Sequence, residues 1–305
     1  MESFLTIALA LFLAPLFPGI ILKVKAFFAG KKGPPLFIKY YTLAKLLRKG
    51  SVYSTSTTFV FKLGPLVSCA GAIMILLFFP LAGVTPLLAF HGDVIVLFYI
   101  LGIGRFFTIA AALDTASPFQ GMGAAREAFF GTLAEASIFA VLVLFYRMTG
   151  ALSFTDYFTG TTPISLAGTG GALLLLAIVA LFMVLLTENS RVPVDDPATH
   201  LELTMIHEVM VLDHSGPDLA LIELGSFYKL FFYSAFIFLI IFPIDASLGF
   251  LRIPLFFGGI ALVYVAIGLV ESGMARFKMN LVPKFVLTSL ALVFFAAILT
   301  MEFIK

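Results

Sequence analysis

The sequence predicts an all-α polytopic membrane protein: eight transmembrane helices, a basic amphipathic interfacial helix and one long acidic cytoplasmic loop. Three observations predict it. Hydrophobic residues make up 61% of the 305 and charged residues only 12%, with a mean hydropathy of +1.11, more apolar surface than an aqueous domain covers. Eight apolar runs approach the roughly 20 residues that a helix needs to cross a bilayer. Eight of the 17 carboxylates fall between Thr187 and Glu223. Residues 1–305 are expected to form a single integral membrane domain, with the acidic cytoplasmic loop at 187–224.

In order, the runs are Phe4 to Leu22, Phe59 to Leu81, Val94 to Leu113, Ala125 to Tyr146, Gly171 to Leu186, Gly225 to Ile244, Pro254 to Val270 and Pro283 to Phe303. The first is not a cleavable signal by pattern, because Glu2 stands where a basic segment is needed. Between the first two runs, Lys23 to Lys62 carries nine basic residues and no acid, which by the positive-inside rule places it in the cytoplasm. Alternation then puts the acidic loop on the same side, with Arg126, Arg276, Lys278 and Lys284, and both termini outward. The expected location is the inner, cytoplasmic membrane.

Within the basic connection, Gly33, Pro34 and Pro35 open a short amphipathic helix. Leu36, Tyr40, Leu43 and Leu47 fall on one face and Lys45, Arg48 and Lys49 away from it, the pattern of a helix lying on the membrane surface. It is either a lipid-binding anchor or the rim of an opening where a partner docks.

The third and fourth runs hold charges that a lipid-facing helix excludes. A charge at the bilayer centre costs about 2.5–3.5 kcal/mol on insertion scales, so such groups face a protein interior or a wet cavity. Arg105, Glu127 and Glu135 are candidates on that ground. At about 100° and 1.5 Å per residue, Glu127 and Glu135 stand roughly 80° and 12 Å apart, successive points on one hydrated path. Alternatively Glu127 sits at headgroup level beside Arg126, and Glu135 only pairs with Arg105.

The acidic loop is too apolar for disorder and carries its own helical pattern after Pro197, with Leu201, Met205, Val209 and Leu212 on one face. His214 to Pro217 reads as a turn. His207-Glu208 resembles the start of a zinc-protease signature, but Val211 stands where the second histidine is required. Arg191, the sole basic side chain of the loop besides histidines, is the expected organiser of its carboxylates, since a guanidinium fork holds two oxygens at once. One cysteine, Cys69, excludes a disulfide within this chain and an iron-sulfur cluster built from it alone. If electrons move nearby, another chain carries them.

Two stretches carry a resemblance. Glu188-Asn189-Ser190-Arg191, with Pro193, Asp195, Pro197, Glu202 and Leu203 in register, resembles the loop of the respiratory complex I membrane subunit that corresponds to NADH dehydrogenase subunit 1. Ala198 and His200 stand where that subunit tends to have glutamates, and Gly33-Pro34-Pro35 departs from its Gly-Pro-Asn. Leu113 to Glu127, together with the whole Glu188 to Gly216 loop, is similar to the membrane subunit of energy-converting nickel-iron hydrogenases, the group that includes formate hydrogenlyase subunit 4 and hydrogenase-4 component C.

The resemblance implies a non-catalytic subunit of an oxidoreductase complex. It would join a hydrophilic redox arm to antiporter-like subunits and couple electron transfer to proton or sodium translocation. By position, Glu135, Glu188, Arg191, Asp195, Glu202 and Glu223 would be coupling residues, alongside Arg105 and Glu127. Gly33, Pro34, Pro35, Asp196, Glu208 and Asp213 would form a cavity rim or partner surface. No cofactor or metal is expected in this chain. Nickel-iron and iron-sulfur centres belong to the hydrophilic large and small subunits, and a quinone is less expected than in complex I. The other expected partner is the lipid bilayer, not nucleic acid. An independent proton-coupled carrier is the competing reading, though the two halves show no convincing repeat.

Overall fold

A computed structural model describes residues 2–159, 164, 166, 170–196, 205–244 and 246–303. Eight of its helical stretches are long and apolar enough to cross a membrane. The first span is α1 (Glu2–Leu13) and α2 (Phe17–Phe28), joined by a 3-10 turn at Ala14–Leu16 that contains Pro15. Then come α3 (Ile38–Leu47), α4 (Phe59–Phe78), α5 (Asp93–Asp114), α6 (Pro118–Thr149), the short α7 (Phe154–Thr159), α8 (Gly171–Glu188), the single turn α9 (His207–Met210), α10 (Gly216–Ile241), α11 (Arg252–Gly273) and α12 (Val282–Phe303).

α10 is the axis of the bundle. Residues buried inside the protein make up 78% of its most apolar stretch, against 28% for α5 and for α12, which lie at the periphery. α4, α8, α11 and α3 all pack against it. The interior away from the basic connection is filled with aromatic rings: Phe79 meets Phe154, Phe158, Phe232 and Phe236 with centroids 5.2–6.0 Å apart, and Phe145 packs on Tyr157 and Phe236. Edge-to-face contacts predominate, the arrangement ring quadrupoles favour. On that same side the Asp93 carboxylate, fully buried, accepts from Ser153 Oγ at 3.1 Å and Phe154 N at 3.0 Å, tying the start of α5 to α7. Arg252 and Glu2 pair there too, which places the start of the first span and the start of α11 on one face.

Two helices begin earlier than hydropathy suggests. α10 starts at Gly216 rather than Gly225, because Ser215 is extended (φ −137°, ψ 161°) and Pro217 sits in the first turn, where its missing N–H is harmless. The expected turn at His214 to Pro217 therefore contains the helix start. Gly216 has φ +55°, and a Cβ there would come within 2.6 Å of the Gly50 carbonyl oxygen, so only glycine fits. α6 starts at Pro118 rather than Ala125 for the same reason, behind an extended Ser117. Polar residues in these first turns lower a hydropathy average without ending a helix.

The expected helix after Pro197 falls largely outside the described residues. Where the chain is described again, Met205 and Val209 are buried, but Leu212 is exposed and the helix covers only His207–Met210. A helix, α3, does stand in the basic connection, with Leu36, Tyr40 and Leu43 half-buried and Leu47, expected on the same apolar face, exposed. Its connection touches the acidic segment directly: Ser215 Oγ accepts from Val52 N at 3.0 Å, and Lys39 reaches Glu223. The two segments thus share one side of the bundle.

Candidate functional site

Arg105 on α5 is the hub of an ionic cluster inside the bundle. Its Nη1 donates to Glu135 Oε1 at 2.5 Å, its Nη2 donates to Glu188 Oε1, and its Nε lies 3.7 Å from Glu127 Oε1. Lys229 Nζ on α10 approaches the other oxygen of Glu188 at 3.4 Å. Three carboxylates therefore share two cations. Charges in a low-dielectric interior persist only when paired and hydrogen-bonded, and pairing to one guanidinium fork meets that condition for α5, α6 and α8 together. Gly131 on α6 makes room for it, since a Cβ there would come within 2.8 Å of Arg105 Nε.

The members differ in exposure. The Glu188 and Glu127 side chains are 2% and 13% exposed, while Glu135, beside Gly102 of α5, is 38% exposed. Glu135 and Glu127 thus both pair with Arg105.

A cavity of about 420 Å³ adjoins this cluster on the side of the acidic segment. Arg105, Glu127, Glu188 and Lys229 form one wall, while Pro18, Leu22, Ala72, Ile100 and Leu101 give it an apolar wall. Four further acids line it: Asp196, Glu271, Glu223 and Glu208. Glu271 on α11 is buried between Lys25 Nζ at 3.0 Å and Arg191 Nη1 at 3.5 Å. Glu223 on α10 has Lys39 Nζ of α3 at 3.8 Å. Glu208 on α9 is pushed up to about 7, first by burial, then by the charges of Glu223 and Asp195, with Lys39 and Arg191 acting against them. Its neighbour His207 is held down at about 4 by burial and by Lys229, despite Asp195. Asn189, Arg191 and Glu223 each bring to the lining a buried polar atom with no hydrogen-bond partner among the described residues.

Asp195 is the most fully partnered of the loop acids among the described residues. Fully buried, it takes Arg276 Nη2 at 2.6 Å and Asp196 N at 2.9 Å on one oxygen, and Ile206 N at 3.0 Å and His207 N at 3.2 Å on the other. It is the knot that closes the acidic segment back on itself and onto the α11–α12 connection. Among the described residues Arg191, expected to organise the loop acids, pairs with Glu271, and its charge also acts on Glu208. Other loop acids have cations from elsewhere in the chain: Arg105 and Lys229 for Glu188, Arg276 for Asp195, Lys39 for Glu223.

Among the expected rim residues, Asp196 and Glu208 line the cavity. Gly33, Pro34 and Pro35 do not, and α3 contributes through Lys39. Asp213 is exposed and away from it. Glu202 lies outside the described residues. Lys229, Glu271, Lys25 and Lys39 were missed by sequence reasoning. Lys229 had a signal, a charge inside an apolar run, the same rule that singled out Arg105. No group of three or more metal-ligating side chains occurs among the described residues.

Relatives share this architecture. The chain is 30% identical over 288 residues to formate hydrogenlyase subunit 4 of Escherichia coli (strain K12), covering 91% of each. It is also 30% identical over 215 residues to hydrogenase-4 component C of the same organism, 70% of this chain and 66% of that one. The fold superimposes on a chain of the membrane-bound sulfane sulfur reductase, an archaeal respiratory membrane complex, with a TM-score of 0.83 at 21% identity, over 98% of this chain and 99% of that one. The NADH dehydrogenase family model matches residues 1–302. The chain belongs to that family, as a multi-pass membrane subunit of its complex I-like, energy-converting hydrogenase branch.

Proposed function

We propose that this chain is the coupling subunit of an energy-converting hydrogenase-like complex: it seats the hydrophilic redox arm on the side of the basic connection and acidic segment, taken as cytoplasmic, and passes a charge signal or proton to antiporter-like membrane subunits. The observation that carries the reading is Glu135. A carboxylate in a membrane span that stays 38% exposed while paired to Arg105 has a face left open to water or to a neighbouring subunit. Through Arg105 the same carboxylate is joined to Glu188 at the cavity wall. The cluster has an odd negative charge, three acids against two cations, so a proton or cation arriving from the cavity neutralises it. Protonation at Glu188 or Glu127 weakens their hold on Arg105 and shifts the guanidinium toward Glu135.

The redox centres in this reading belong to partner subunits. The cavity's volume, its apolar wall and the partnerless Arg191 Nε donor fit a ring-sized amphipathic group such as a quinone head. When bound, such a group would supply electron and proton transfer, and Arg191 and Lys39 would be the residues to hold its carbonyl oxygens. The coupling through Arg105 does not require it.

The test is Glu135→Gln in the assembled complex, reconstituted in vesicles. Electron transfer should persist while ion translocation falls. Translocation at the wild-type ratio would reduce Glu135 to a structural partner of Arg105.

A further inference from the structure

Glu208 and Glu223 face one cavity from α9 and α10, and neither has the close cation that Glu188, Asp195 and Glu271 have. Among the described residues the Glu208 carboxylate makes no ion pair or hydrogen bond, and Glu223 has only Lys39, at 3.8 Å. Lys39 also lies 5.4 Å over the Phe227 ring, so its ammonium hangs at the cavity mouth between an aromatic face and two acids. It is the one side chain of α3 in an ion pair among the described residues. α3 itself has no fully buried residue. Besides Lys39, the Tyr40 hydroxyl donates to the Phe12 carbonyl and its ring packs on Phe12, and half-buried side chains rest on α10. Gly30 and Gly33, both at positive φ, precede it, and the chain from 50 to 58 has no helix or strand.

We propose that α3 is a movable cover of the cavity and that Lys39 is its positioning residue, drawn in when Glu208 and Glu223 are both ionised and released when the pair holds a proton. The proposal rests on the proton-coupling reading above and adds a control on when the cavity is open.

The surrounding charges leave Lys39 as the responsive group. Glu208 feels Glu223 and Asp195 as like charges and Lys39 and Arg191 as opposite ones. Asp195 is already matched by Arg276, and Arg191 by Glu271. On α2, Lys25 is committed to Glu271; on α10, Lys229 is committed to Glu188. His207 stays neutral near neutral pH. Lys45, Arg48 and Lys49 stand on the exposed side of α3. An ammonium facing two carboxylates is held more strongly than one facing a single carboxylate, and because Glu208 titrates near 7 that difference falls within the physiological range. A proton entering the pair from the water on that side loosens the cover, and its onward loss tightens it.

The experiment uses the assembled complex in lipid nanodiscs, with Cys69→Ala and spin labels on Leu47→Cys in α3 and Phe119→Cys at the start of α6, both exposed positions. Distances are read by pulsed dipolar spectroscopy at about pH 6 and about pH 8, either side of the Glu208 value. A longer second distance should appear at the lower pH alone. Lys39→Gln should show it at both, Lys39→Arg should behave as wild type, and Glu208→Gln should match Lys39→Gln even if the latter assembles poorly. One unchanged distance at both pH values, or Lys39→Gln identical to wild type, overturns the proposal. If the cover fails this test while Glu135→Gln still abolishes translocation, the cover is rejected and the coupling reading stands; if the cover moves but Glu135→Gln pumps normally, the coupling reading falls.

Discussion

The guanidinium of Arg105 lies against the α-carbon of Gly131, where an added methyl would stand 2.7 Å from Nη1. The ionic cluster is therefore seated on α6 backbone, and its geometry depends on a residue that carries no charge. Gly131→Ala should displace Arg105 and cost about 1–3 kcal/mol, the usual range for overpacking. Ion translocation should fall with it. Gly121→Ala, on the same helix with open space around it, should do neither, and thermal unfolding with parallel pumping assays will show whether the two variants separate.

Lys229 is the second cation of that cluster. Lys229→Met leaves three acids on Arg105 alone, so translocation should drop while Lys229→Arg restores most of it. Glu188 keeps Arg105, so the stability loss should stay below the about 3–5 kcal/mol of a fully orphaned buried charge. A Lys229→Met complex that pumps normally would remove this lysine from the coupling site.

The roles of two arginines follow from their partners. Arg276→Ala strands the fully buried Asp195, which also orders Ile206 and His207, and should cost about 3–5 kcal/mol or prevent assembly. Arg191 touches Glu271 through a single nitrogen at 3.5 Å, beside Lys25, so Arg191→Lys should be tolerated. Purified yield and coupled activity of the two variants decide between them; a dead Arg191→Lys would mean that both arms of its fork are used in the complex.

Acid should destabilise the protein through His207 and His214. Both are held down at about 4 by burial, from an ordinary value of 6.5, and His214 is stacked on Phe61 at 3.9 Å. The unfolded chain binds protons at these rings below its pKa while the folded one does not. The stability they contribute is complete above about pH 6.5 and is lost as pH falls towards 4. Circular dichroism melts of His207→Gln and His214→Gln should show a flatter decline across that window, and slopes equal to wild type would contradict the assignment.

How much was legible in the sequence follows from how far each signal reaches along the chain. The eight spans are local averages of hydropathy, so they were visible. Arg105 and Glu135 were visible because a charge in an apolar run needs a partner, and the two proved to be partners. Their third member, Glu188, was found through its motif, though its contact with Arg105 spans 83 positions. Nothing in a window of residues connects Glu271 with Lys25 and Arg191, or Lys39 with Glu223, because α2, α3, α10 and α11 meet only in the folded bundle. The pairing of Arg191 with Glu271 was hidden for the same reason, since Glu271 lies 80 positions away, outside the loop.

The aromatic packing of Phe79, Phe154, Phe158, Phe232 and Phe236 has an electrical consequence. The charged cavity lies on one side of the bundle, and on the other the rings fill the interior around the single buried carboxylate of Asp93, which is tied to Ser153 and Phe154. In the coupling reading proposed above, this close-packed half is the insulating one, leaving ions no straight route through the bundle. Opening it should turn the protein into a leak. Small-residue substitutions such as Phe232→Ala would then appear as passive proton conductance, a short circuit measurable in vesicles with no electron donor present.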